Sequence, residues 1–392
     1  MAGPRLVIAI NTAWNLYNFR AGLIRALVEA GFEVVAVAPF DDYAPRLPGL
    51  GCRYAPLAMD NKGTSPLRDL VLLWRFWRLL RREQPAAFLG YTVKPNVYGS
   101  IAAHALGIPV INNIAGLGTV FVRGGWLAWL VKALYRLALG RSRRVFFQND
   151  EDRTLFLRQG LVRSGQTGLL PGSGVDLQRF VPAPLPGAET LTGADQGIAP
   201  LCFLLVARLV WDKGVGEFVE AARRVRKLAP NARFQLLGFL EVQNPAAIDR
   251  ATVDAWVAEG AVEYLGATDD VRPYLAAADC VVLPSYYMEG TPRSLLEAAA
   301  MARPIITTDW VGCRNVVEEG VNGLLCRVRD AGDLADKMVA MIRLTPAQRA
   351  AMGAAGRAKM EREFDEKIVI GEYLRELSRI TAGIERVAGK IK

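Results

Sequence analysis

The segment VVLPSYYMEGTPRSLLEAAAMARPIITTD (residues 281–309) carries the pattern that decides the fold. An apolar strand ends at Pro284, a polar turn follows, and a helix begins near Thr291 and Pro292. Threonine is a good helix N-cap and proline is favoured at the first helical position, so the start of the helix is well marked. A second apolar strand follows at 304–308. A strand, a helix and a strand in this order predict a parallel βαβ unit.

The same alternation runs along both halves of the chain and predicts an α/β fold with parallel, doubly wound sheets. The predicted strands lie at 6–10, 33–38, 87–89, 110–114, 145–148, 202–208, 234–238, 262–265, 280–284 and 304–308. The predicted helices lie at 19–30, 67–82, 215–228, 247–259 and 292–301, with further helices towards the C-terminus.

An aperiodic segment, PAPLPGAETLTGADQGIAP (182–200), is rich in proline, glycine and alanine and predicts a linker. Residues 1–181 then form one Rossmann-like domain and residues 201–364 a second, similar one. A C-terminal helix over about 365–392 is expected to pack back on the first domain. Ligands bind such sheets at the carboxyl ends of the strands, so we expect the site in a central cleft that both domains face.

Composition excludes several classes of enzyme. The chain has 392 residues, a single histidine and five cysteines. A centre that needs several imidazoles is excluded, and His104, in a helix-like AAHALG run, is interpreted as a structural residue. The cysteines lack CxxC spacing, which excludes zinc ribbons and thioredoxin-like chemistry and fits a reducing cytosol. Residues 10–20, after the first strand, contain no GxGxxG, which disfavours an NAD-dependent dehydrogenase.

The formal net charge of +9 is concentrated in one part of the chain. Residues 51–150 hold 14 Lys and Arg against 4 Asp and Glu, whereas residues 201–392 are balanced at 26 of each. The first domain is therefore expected to meet an anionic partner. Nucleic acid is disfavoured, because the tryptophans of this region lie in apolar helices rather than on polar stacking platforms.

Two helical segments of the basic region combine cations with aromatic residues, LRDLVLLWRFWRLLRR (67–82) and WLAWLVKALYRLALGRSRR (126–144). Cationic faces with aromatic anchors suit an anionic membrane surface. The alternative is that both helices only cover the sheet, with solvated arginines outside. The residues predicted to meet the membrane are Arg68, Trp74, Arg75, Trp77, Arg78 and Arg82 in the first segment and Trp126, Trp129, Lys132 and Arg136 in the second.

No transmembrane helix or signal peptide is predicted. The N-terminal segment MAGPRLVIAINTAWN enters a strand-like run without a cleavage pattern. The longest uncharged run, between Lys94 and Arg123, contains asparagines, prolines and glycines. A lipid-exposed span of this composition would leave polar groups without hydrogen-bond partners in the hydrocarbon. We therefore expect a cytoplasmic protein that associates peripherally with the inner face of the membrane.

Two patterns in the second half suit an anionic, hydroxyl-bearing ligand. Glu289 precedes the helix that begins near Thr291, and Glu297 lies about one and a half turns inside it, so the two carboxylates can reach different hydroxyls of a sugar or ribose. Arg208 and Lys213 follow a buried strand and can clamp a diphosphate. The alternatives are ordinary acidic residues at a helix start and a salt-bridged loop.

These motifs resemble those of glycosyltransferase family 4, whose fold is GT-B, with two Rossmann-like domains. The resemblance covers nearly the whole chain. It rests on VARLVWDKG (206–214), PGSGVDLQRF (171–180), GATDDVRPYL (266–275), GCRNVVEEGVNGLL (312–325) and the spacing of Glu289 and Glu297.

The resemblance implies roles for individual residues in the second domain. The catalytic residues would be Arg208 and Lys213, which would hold the donor diphosphate, and Glu289, which would contact the donor sugar. Glu297 would contact the ribose. The backbone of Gly290, Thr291, Pro292 and Arg293 would support the phosphates, and the segment with Thr268, Asp270 and Val271 would line the base. The family retains anomeric configuration and needs no metal or other cofactor, because cationic side chains and helix ends replace the metal.

The first half resembles the branch of the family that builds bacterial polysaccharides and glycans on undecaprenyl-diphosphate. NLYNFRAGLIRAL (15–27), GYTVKPNVYGSIAAHALG (90–107) and INNIAGLGTVF (111–121) carry this likeness. It implies transfer of a sugar from a nucleotide-sugar, expected to be a UDP-sugar, to a lipid-diphosphate-linked saccharide. The expected acceptor-side residues are Asn15, Asn18, Arg20, Lys94, Asn113, Gly116 and Gly118.

The chain departs from the family at one point, because residues 112–118 contain no histidine where many members place one near the reacting sugar. A donor phosphate oxygen acting as the base is one possibility that the resemblance offers.

Two alternatives to a transferase are a GT-B-like nucleotide-sugar epimerase and an inactive sugar-nucleotide-binding scaffold at the membrane. The presence of Arg208, Lys213, Glu289 and Glu297 argues against the scaffold.

Overall fold

A computed structural model describes residues 3–60, 65–116, 126–186, 201–242 and 244–389, with side chains omitted at 126–128 and 383–389. Gly118 and residues 187–200 of the predicted linker lie outside this part of the chain. Among the described residues, no helix is both long enough and apolar enough to cross a membrane.

The chain forms two compact units that divide at different residues from those predicted. One unit extends to Gly174 and resumes at Glu366, and the other covers Val175–Asp365. The predicted boundary at 181 is wrong, because Val175 donates its N–H to the carbonyl of Phe364 (2.9 Å). Val175 and Phe180 are buried in one cluster with Phe364, so residues 175–181 belong to the second unit.

The first unit contains a parallel sheet of seven described strands in the order β3-β2-β1-β4-β5-β6-β7. The strands are β1 (Arg5–Ala9), β2 (Glu33–Ala38), β3 (Arg53–Pro56), β4 (Ala87–Tyr91), β5 (Val110–Ile114), β6 (Arg144–Phe147) and β7 (Thr167–Leu169). The helices are α1 (Ala13–Phe19), α2 (Ala21–Glu29), α3 (Pro66–Glu83), α4 (Ser100–Ala105), α5 (Trp126–Leu139) and α6 (Asp150–Arg158), with α13 (Glu366–Gly389) returning from the end of the chain. Shorter helical turns lie at Ala44–Leu50, Pro95–Gly99 and Ser164–Gln166.

Alternating side chains of the central strand divide this unit into two cores. Leu6 and Ile8 are buried with residues of α2 and α13, whereas Val7 is buried with Phe76 of α3 and with residues of α4. Because successive side chains of a strand point to opposite faces, α3 and α4 cover one face and α2 and α13 the other. Tyr135 of α5 continues the α3 side.

One predicted helix is two. The segment predicted as a helix at 19–30 contains the end of α1 and the whole of α2, which separate at Arg20, where φ is −131°. The side chain of Thr12 caps α1 by accepting the N–H of Asn15 (3.1 Å). The helical periodicity of 19–30 predicts the helix but not this break in the backbone.

The second unit contains a parallel sheet of six described strands in the order β10-β9-β8-β11-β12-β13. The strands are β8 (Cys202–Val206), β9 (Arg233–Leu237), β10 (Glu263–Tyr264), β11 (Cys280–Leu283), β12 (Ile305–Thr308) and β13 (Gly323–Cys326). The helices are α7 (Val215–Arg226), α8 (Arg250–Ala258), α9 (Arg272–Ala277), α10 (Arg293–Ala300), α11 (Ala331–Arg343) and α12 (Pro346–Lys359). Shorter helical turns lie at Trp211–Lys213, Arg314–Val316 and Met360–Phe364.

Candidate functional site

Two loops at the carboxyl ends of neighbouring strands, β8 and β11, lie against each other. Tyr286 donates its N–H to the carbonyl of Asp212 (3.0 Å). Gly214 has φ +75°, and a Cβ at this position would overlap the carbonyl oxygen of Pro284. Only glycine permits both this backbone conformation and this approach. The two loops that carry the predicted diphosphate and sugar residues are therefore held together.

Lys213 and Glu289 form an ion pair at this junction. Lys213 is buried, and its Nζ lies 5.5 Å from the centre of the Tyr287 ring. The guanidinium of Arg208 lies 6.0 Å from the centre of the same ring. The structure therefore brings together the three residues predicted to be catalytic, Arg208, Lys213 and Glu289. It adds Tyr287, which no sequence pattern indicates although it lies two residues before Glu289.

A third loop closes the cluster from the carboxyl end of β12. Gly312 has φ +83°, and a Cβ there would overlap the carbonyl oxygen of Gly290. The next residue, Cys313, is buried close to Glu289, and burial raises the pKa of its thiol to about 11. The motif that begins at Gly312 therefore supports the loop with Glu289 and Gly290.

Helix α10 begins at Arg293, and the prediction that Thr291 caps it is wrong. Pro292 is the N-cap residue, with extended backbone (φ −63°, ψ 123°), and no side chain caps the helix. The Thr291 hydroxyl, one residue too early to cap, is buried and has no hydrogen-bond partner among the residues that the structure describes. The first N–H groups of a helix have no partners within the helix, and they favour a phosphate.

Glu297 lies on α10 beside Arg293, whose Nε donates to its carboxylate (3.0 Å). Burial raises the pKa of Glu297, while the positive charges of Arg293 and Arg179 act in the opposite direction. Asp270 is also close enough to affect the pKa of Glu297. Arg179 belongs to the quoted segment 171–180, but no periodicity in that segment indicated that it would fold next to Glu297.

The segment with Thr268, Asp270 and Val271 is ordered by local hydrogen bonds. The Thr268 hydroxyl accepts the N–H of Asp270 (3.1 Å), and the Asp270 carboxylate accepts two hydrogen bonds from the Arg272 guanidinium (2.8 and 2.7 Å). These bonds lower the pKa of Asp270. Val271 immediately precedes α9. Because the charge of Asp270 also affects the pKa of Glu297, this segment lies near the residues of α10.

The described residues predicted on the acceptor side lie in the first unit, after β1, after β4, and within or after β5. Asn15 and Asn18 lie on α1, where Asn18 donates from Nδ2 to the carbonyl of Trp14 (3.0 Å). Arg20 is buried, with its guanidinium 4.5 Å from the centre of the Tyr91 ring. Arg20 therefore connects the end of α1 to the end of β4.

The remaining acceptor-side residues are held by neighbours within the same unit. Lys94 forms an ion pair with Asp69 of α3 (2.8 Å). Asn113 is buried and donates to the hydroxyl of Tyr373 on α13 (3.2 Å), so its side chain already binds within the core. Gly116 is described with φ +125°, while Gly118 lies outside the described residues.

The residues predicted to meet a membrane have different environments. Arg68 pairs with Asp60 (2.9 Å), Arg82 pairs with Glu83 (2.8 Å), and Arg75 donates to the Ala58 carbonyl (3.0 Å). Trp74 and Arg78 are exposed, whereas Trp77 is partly buried against the core and is a structural residue. On α5, Trp129 is exposed, Lys132 is half-buried, and Arg136 donates to the carbonyls of Gln159 and Gly160; the Trp126 side chain is not described.

His104 joins two helices. Its Nε2 lies 2.9 Å from the carbonyl of Ala138 on α5, and burial lowers its pKa. Within the described part of the chain, no group of three or more His, Cys, Asp or Glu side chains is arranged to hold a metal ion.

The fold defines the class of protein. The structure resembles a sucrose-phosphate synthase from Thermosynechococcus elongatus, with a TM-score of 0.77, 19% identity, and coverage of 97% of this chain and 100% of that one. It also resembles the Anabaena protein HepE, crystallised with UDP and glucose, with a TM-score of 0.76, 17% identity, and coverage of 96% and 99%. Two Rossmann-like domains of this kind are the GT-B fold.

Two family models match the chain, one in each half. The model described as "Glycosyl transferase 4-like domain" matches residues 19–172, and the model described as "Glycosyl transferases group 1" matches residues 200–343. The chain therefore belongs to the glycosyltransferases of group 1, with a family 4-like first domain.

Curated relatives resemble the chain over much of its length. The N,N'-diacetylbacillosaminyl-diphospho-undecaprenol alpha-1,3-N-acetylgalactosaminyltransferase of Campylobacter jejuni is 28% identical over 94% of this chain and 97% of its own. The UDP-Gal:alpha-D-GlcNAc-diphosphoundecaprenol alpha-1,3-galactosyltransferase of Escherichia coli is 26% identical over 71% and 72%.

Proposed function

We propose that this protein is a retaining glycosyltransferase that moves a sugar from a UDP-sugar to a polyprenyl-diphosphate-linked saccharide at the cytoplasmic face of the membrane. The product would enter cell-surface polysaccharide or glycan synthesis. The names of the Campylobacter jejuni and Escherichia coli relatives, both of which act on undecaprenyl-diphosphate sugars, support this acceptor class. The Escherichia coli relative is named for a UDP-sugar donor, which supports the choice of nucleotide.

The observation that carries the proposal is the cluster of Arg208, Lys213 and Glu289 around Tyr287, at adjacent strand ends and close to the start of α10. Cleavage of a sugar–diphosphate bond leaves negative charge on the diphosphate. Two preformed cations beside a helix N-terminus stabilise that charge without reorganising in the transition state. This arrangement suits a leaving diphosphate better than a neutral ligand.

The neighbouring residues would position the rest of the donor. Glu289 accepts hydrogen bonds from hydroxyls of the sugar, and its ion pair holds the Lys213 ammonium in place. Glu297, oriented by the hydrogen bond from Arg293, accepts hydrogen bonds from hydroxyls of the ribose. The backbone at Gly290–Arg293 supports the phosphates, and the segment 268–271 lines the base.

The proposed step breaks the bond between the anomeric carbon and the diphosphate oxygen. The acceptor hydroxyl forms its bond to the same face of that carbon, so the configuration is retained. The hydroxyl proton passes to an oxygen of the departing phosphate, and the products are UDP and the extended lipid-linked saccharide. Arg208 and Lys213 would supply the positive charge that a metal ion supplies in other transferases, so we propose that no metal cofactor is required.

A donor screen tests the proposal. The purified chain is incubated with single UDP-sugars and a synthetic undecaprenyl-diphosphate-linked saccharide in the presence of EDTA, and the product is analysed by mass spectrometry and by NMR of the new anomeric centre. We expect one donor to add one sugar with the donor's anomeric configuration. Inversion would contradict the retaining mechanism, and epimerised donor without acceptor extension would contradict the transferase.

A further inference from the structure

Helix α3 exposes an apolar stripe. Leu67, Leu70, Val71 and Trp74 are 76%, 62%, 46% and 54% exposed, respectively. Their spacing of i, i+3, i+4 and i+7 is that of one helix face. The opposite face of α3 is buried in the core through Leu72, Phe76, Leu79 and Leu80. The helix therefore presents two apolar faces, of which the residues that the structure describes bury one and leave the other exposed.

Two cations extend this stripe along the helix. The guanidinium of Arg78 lies 5.5 Å from the centre of the Trp74 ring, and that of Arg81 lies 5.0 Å from the centre of the Trp77 ring. At about 100° per residue, Arg78 and Arg81 fall with the four apolar residues in an arc of about 100°. We call Leu67, Leu70, Val71, Trp74, Arg78 and Arg81 the outward face of α3.

These two arginines differ from the others of the helix. Neither Arg78 nor Arg81 has a carboxylate partner among the residues that the structure describes, whereas Arg68 and Arg82 are ion-paired and Arg75 binds a backbone carbonyl. Their charges are thus available to an external anion. Monomeric proteins rarely expose an apolar patch with a cationic border unless it binds something.

The charge of the first unit indicates what that partner is. Residues 51–150 carry the whole positive excess of the chain, and α3 and α5 lie on the same side of the sheet. α5 adds exposed Trp129 and Leu137 on this side. Apolar side chains that enter the headgroup region, with arginines beside them, are complementary to an anionic bilayer.

The position of α3 connects this face to the acceptor. Asp69 pairs with Lys94 (2.8 Å) and accepts a hydrogen bond from the Tyr98 hydroxyl (2.8 Å). Both partners follow the carboxyl end of β4, so the apolar end of the outward face lies near the predicted acceptor side. We propose that the outward face of α3 docks on an anionic bilayer, with its apolar residues in the headgroup–acyl boundary and its arginines on lipid phosphates. This inference rests on the proposed lipid-linked acceptor.

Vesicle co-sedimentation of the full chain tests this docking surface. Vesicles of phosphatidylcholine mixed with phosphatidylglycerol are compared with vesicles of phosphatidylcholine alone. Wild-type protein should bind the anionic vesicles more tightly. R78Q/R81Q should weaken that binding about 25-fold, at about fivefold for each cation removed. L67S/L70S/W74S should abolish the binding that persists at high salt, since salt screens only the electrostatic part.

The matched control is K227Q/L228S in the second unit, which carries no positive excess. Lys227 and Leu228 are exposed there, so this variant removes a cation and an exposed apolar side chain outside the outward face. It should bind vesicles as the wild type does, and all variants should unfold at the wild-type temperature. Wild-type vesicle binding by both α3 variants would overturn the proposal. So would conversion of a dimer to a monomer by L67S/L70S/W74S with vesicle binding unchanged, because the face would then join two copies.

A second assay separates this inference from the proposed function. Transfer is measured on a short-chain, water-soluble prenyl-diphosphate acceptor and on an undecaprenyl acceptor in anionic vesicles. The α3 variants should retain the wild-type rate on the soluble acceptor and lose it on the vesicle-bound one. Equal rates of wild type and variants on both acceptors would overturn the docking surface alone. Absence of transfer by the wild type to either acceptor, with vesicle binding still dependent on α3, would overturn the proposed function alone.

Discussion

The Lys213–Glu289 ion pair is asymmetric in its exposure. The side chain of Lys213 is 8% exposed and that of Glu289 is 22% exposed. Removal of Glu289 therefore leaves a buried ammonium without its partner, while removal of Lys213 leaves a carboxylate that water reaches. Removing the partner of a buried charge, as the loss of Glu289 does, costs about 3–5 kcal/mol of stability.

Substitution of each partner should separate catalysis from stability. We expect K213A to reduce kcat by about two to three orders of magnitude, with a small change in Tm, because a preformed cation is lost. We expect E289A to lose activity and also to lower Tm clearly, whereas K213A/E289A should recover much of the stability but none of the activity. Transfer rates and thermal unfolding are the measurements. Near-wild-type transfer by K213A would contradict its role on the diphosphate.

Tyr287 positions both cations of the site through one aromatic ring. A cation over such a ring gains about 0.5–2 kcal/mol, so Y287L should lower kcat/KM by up to roughly thirtyfold per cation. Y287F keeps the ring and should behave as wild type. The control is Y286L, because the ring of Tyr286 instead lies against Arg329, with its centre 4.4 Å from the guanidinium carbon. Equal losses in Y287F and Y287L would show that the hydroxyl, not the ring, matters.

At the scale of elements, α6 contains a buried carboxylate with a measurable pH signature. Asp152 hydrogen bonds to Asn149 at the start of the helix through its N–H (2.7 Å) and its carboxylate (3.0 Å). Burial raises the pKa of Asp152 from 3.8 to about 6. The folded state therefore binds the proton more tightly than the unfolded state, and stability falls as pH rises through this window.

The variant D152N should remove this dependence, since the amide is neutral at every pH and its oxygen can still accept from Asn149. Relative to wild type, the free energy of unfolding of D152N should be little changed at pH 4. Above pH 6 it should be higher by up to about 3 kcal/mol, which is the free-energy equivalent of the pKa shift. Denaturant unfolding at several pH values measures the difference. The exposed neighbour Asp150 provides the control variant D150N. A gain in D152N that does not change with pH would contradict this account.

Hydrophobic periodicity predicts the long and central elements but not the short or interrupted ones. β2 and β5 have the predicted bounds, and α3 is one residue longer at each end. The edge strand β13 and the four-residue strand β3 were not predicted, because short strands with partly exposed residues show little alternation. The sequence predicts that α10 starts at Pro292, because Thr291 and Pro292 match a cap and a first helical residue. In the structure Pro292 is the N-cap and the helix starts at Arg293.

The residues of the candidate site are likewise predicted only in part from the sequence. Arg208, Lys213 and Glu289 could be predicted because each follows a strand that the pattern reveals, and parallel strands end at one edge. Arg179 and Tyr287 could not, because their roles depend on which loops meet. The charge of 51–150 predicted a cationic surface, but only the fold shows that Trp77 points into the core while Leu67, Leu70 and Trp74 point outward.

At the scale of the whole molecule, the chain returns to its first unit through α13. Val369, Tyr373, Leu377 and Ile380 are buried in the core with β1 and α2. Burial of such side chains contributes about 1.5–3 kcal/mol each, which together equals the stability of a typical domain.

Truncation should therefore unfold the first unit while it spares the second. We expect a chain that ends at Asp365 to bind ANS and to lose the first-unit unfolding transition. A chain that ends at Ala382 keeps the four buried residues and should unfold as the full protein does. Native-like unfolding of the shorter chain would contradict the structural role of α13.

The uneven charge of the molecule is consistent with different ligands for its two units. The first unit carries the positive excess and the outward face of α3. The second unit, with 21 Lys and Arg against 25 Asp and Glu over residues 175–365, carries the clustered donor residues. In this account the first unit meets the lipid-linked acceptor and the second binds the nucleotide-sugar.

The most direct test of the central claim is the rate of UDP release from the UDP-sugar, measured with and without the lipid-diphosphate acceptor. Wild-type protein should release UDP only when the acceptor is present, and R208A/K213A should do so at least about a hundredfold more slowly. Acceptor-independent turnover by the wild type, or wild-type release by R208A/K213A, would contradict the assignment of these cations to the leaving diphosphate of a glycosyl transfer.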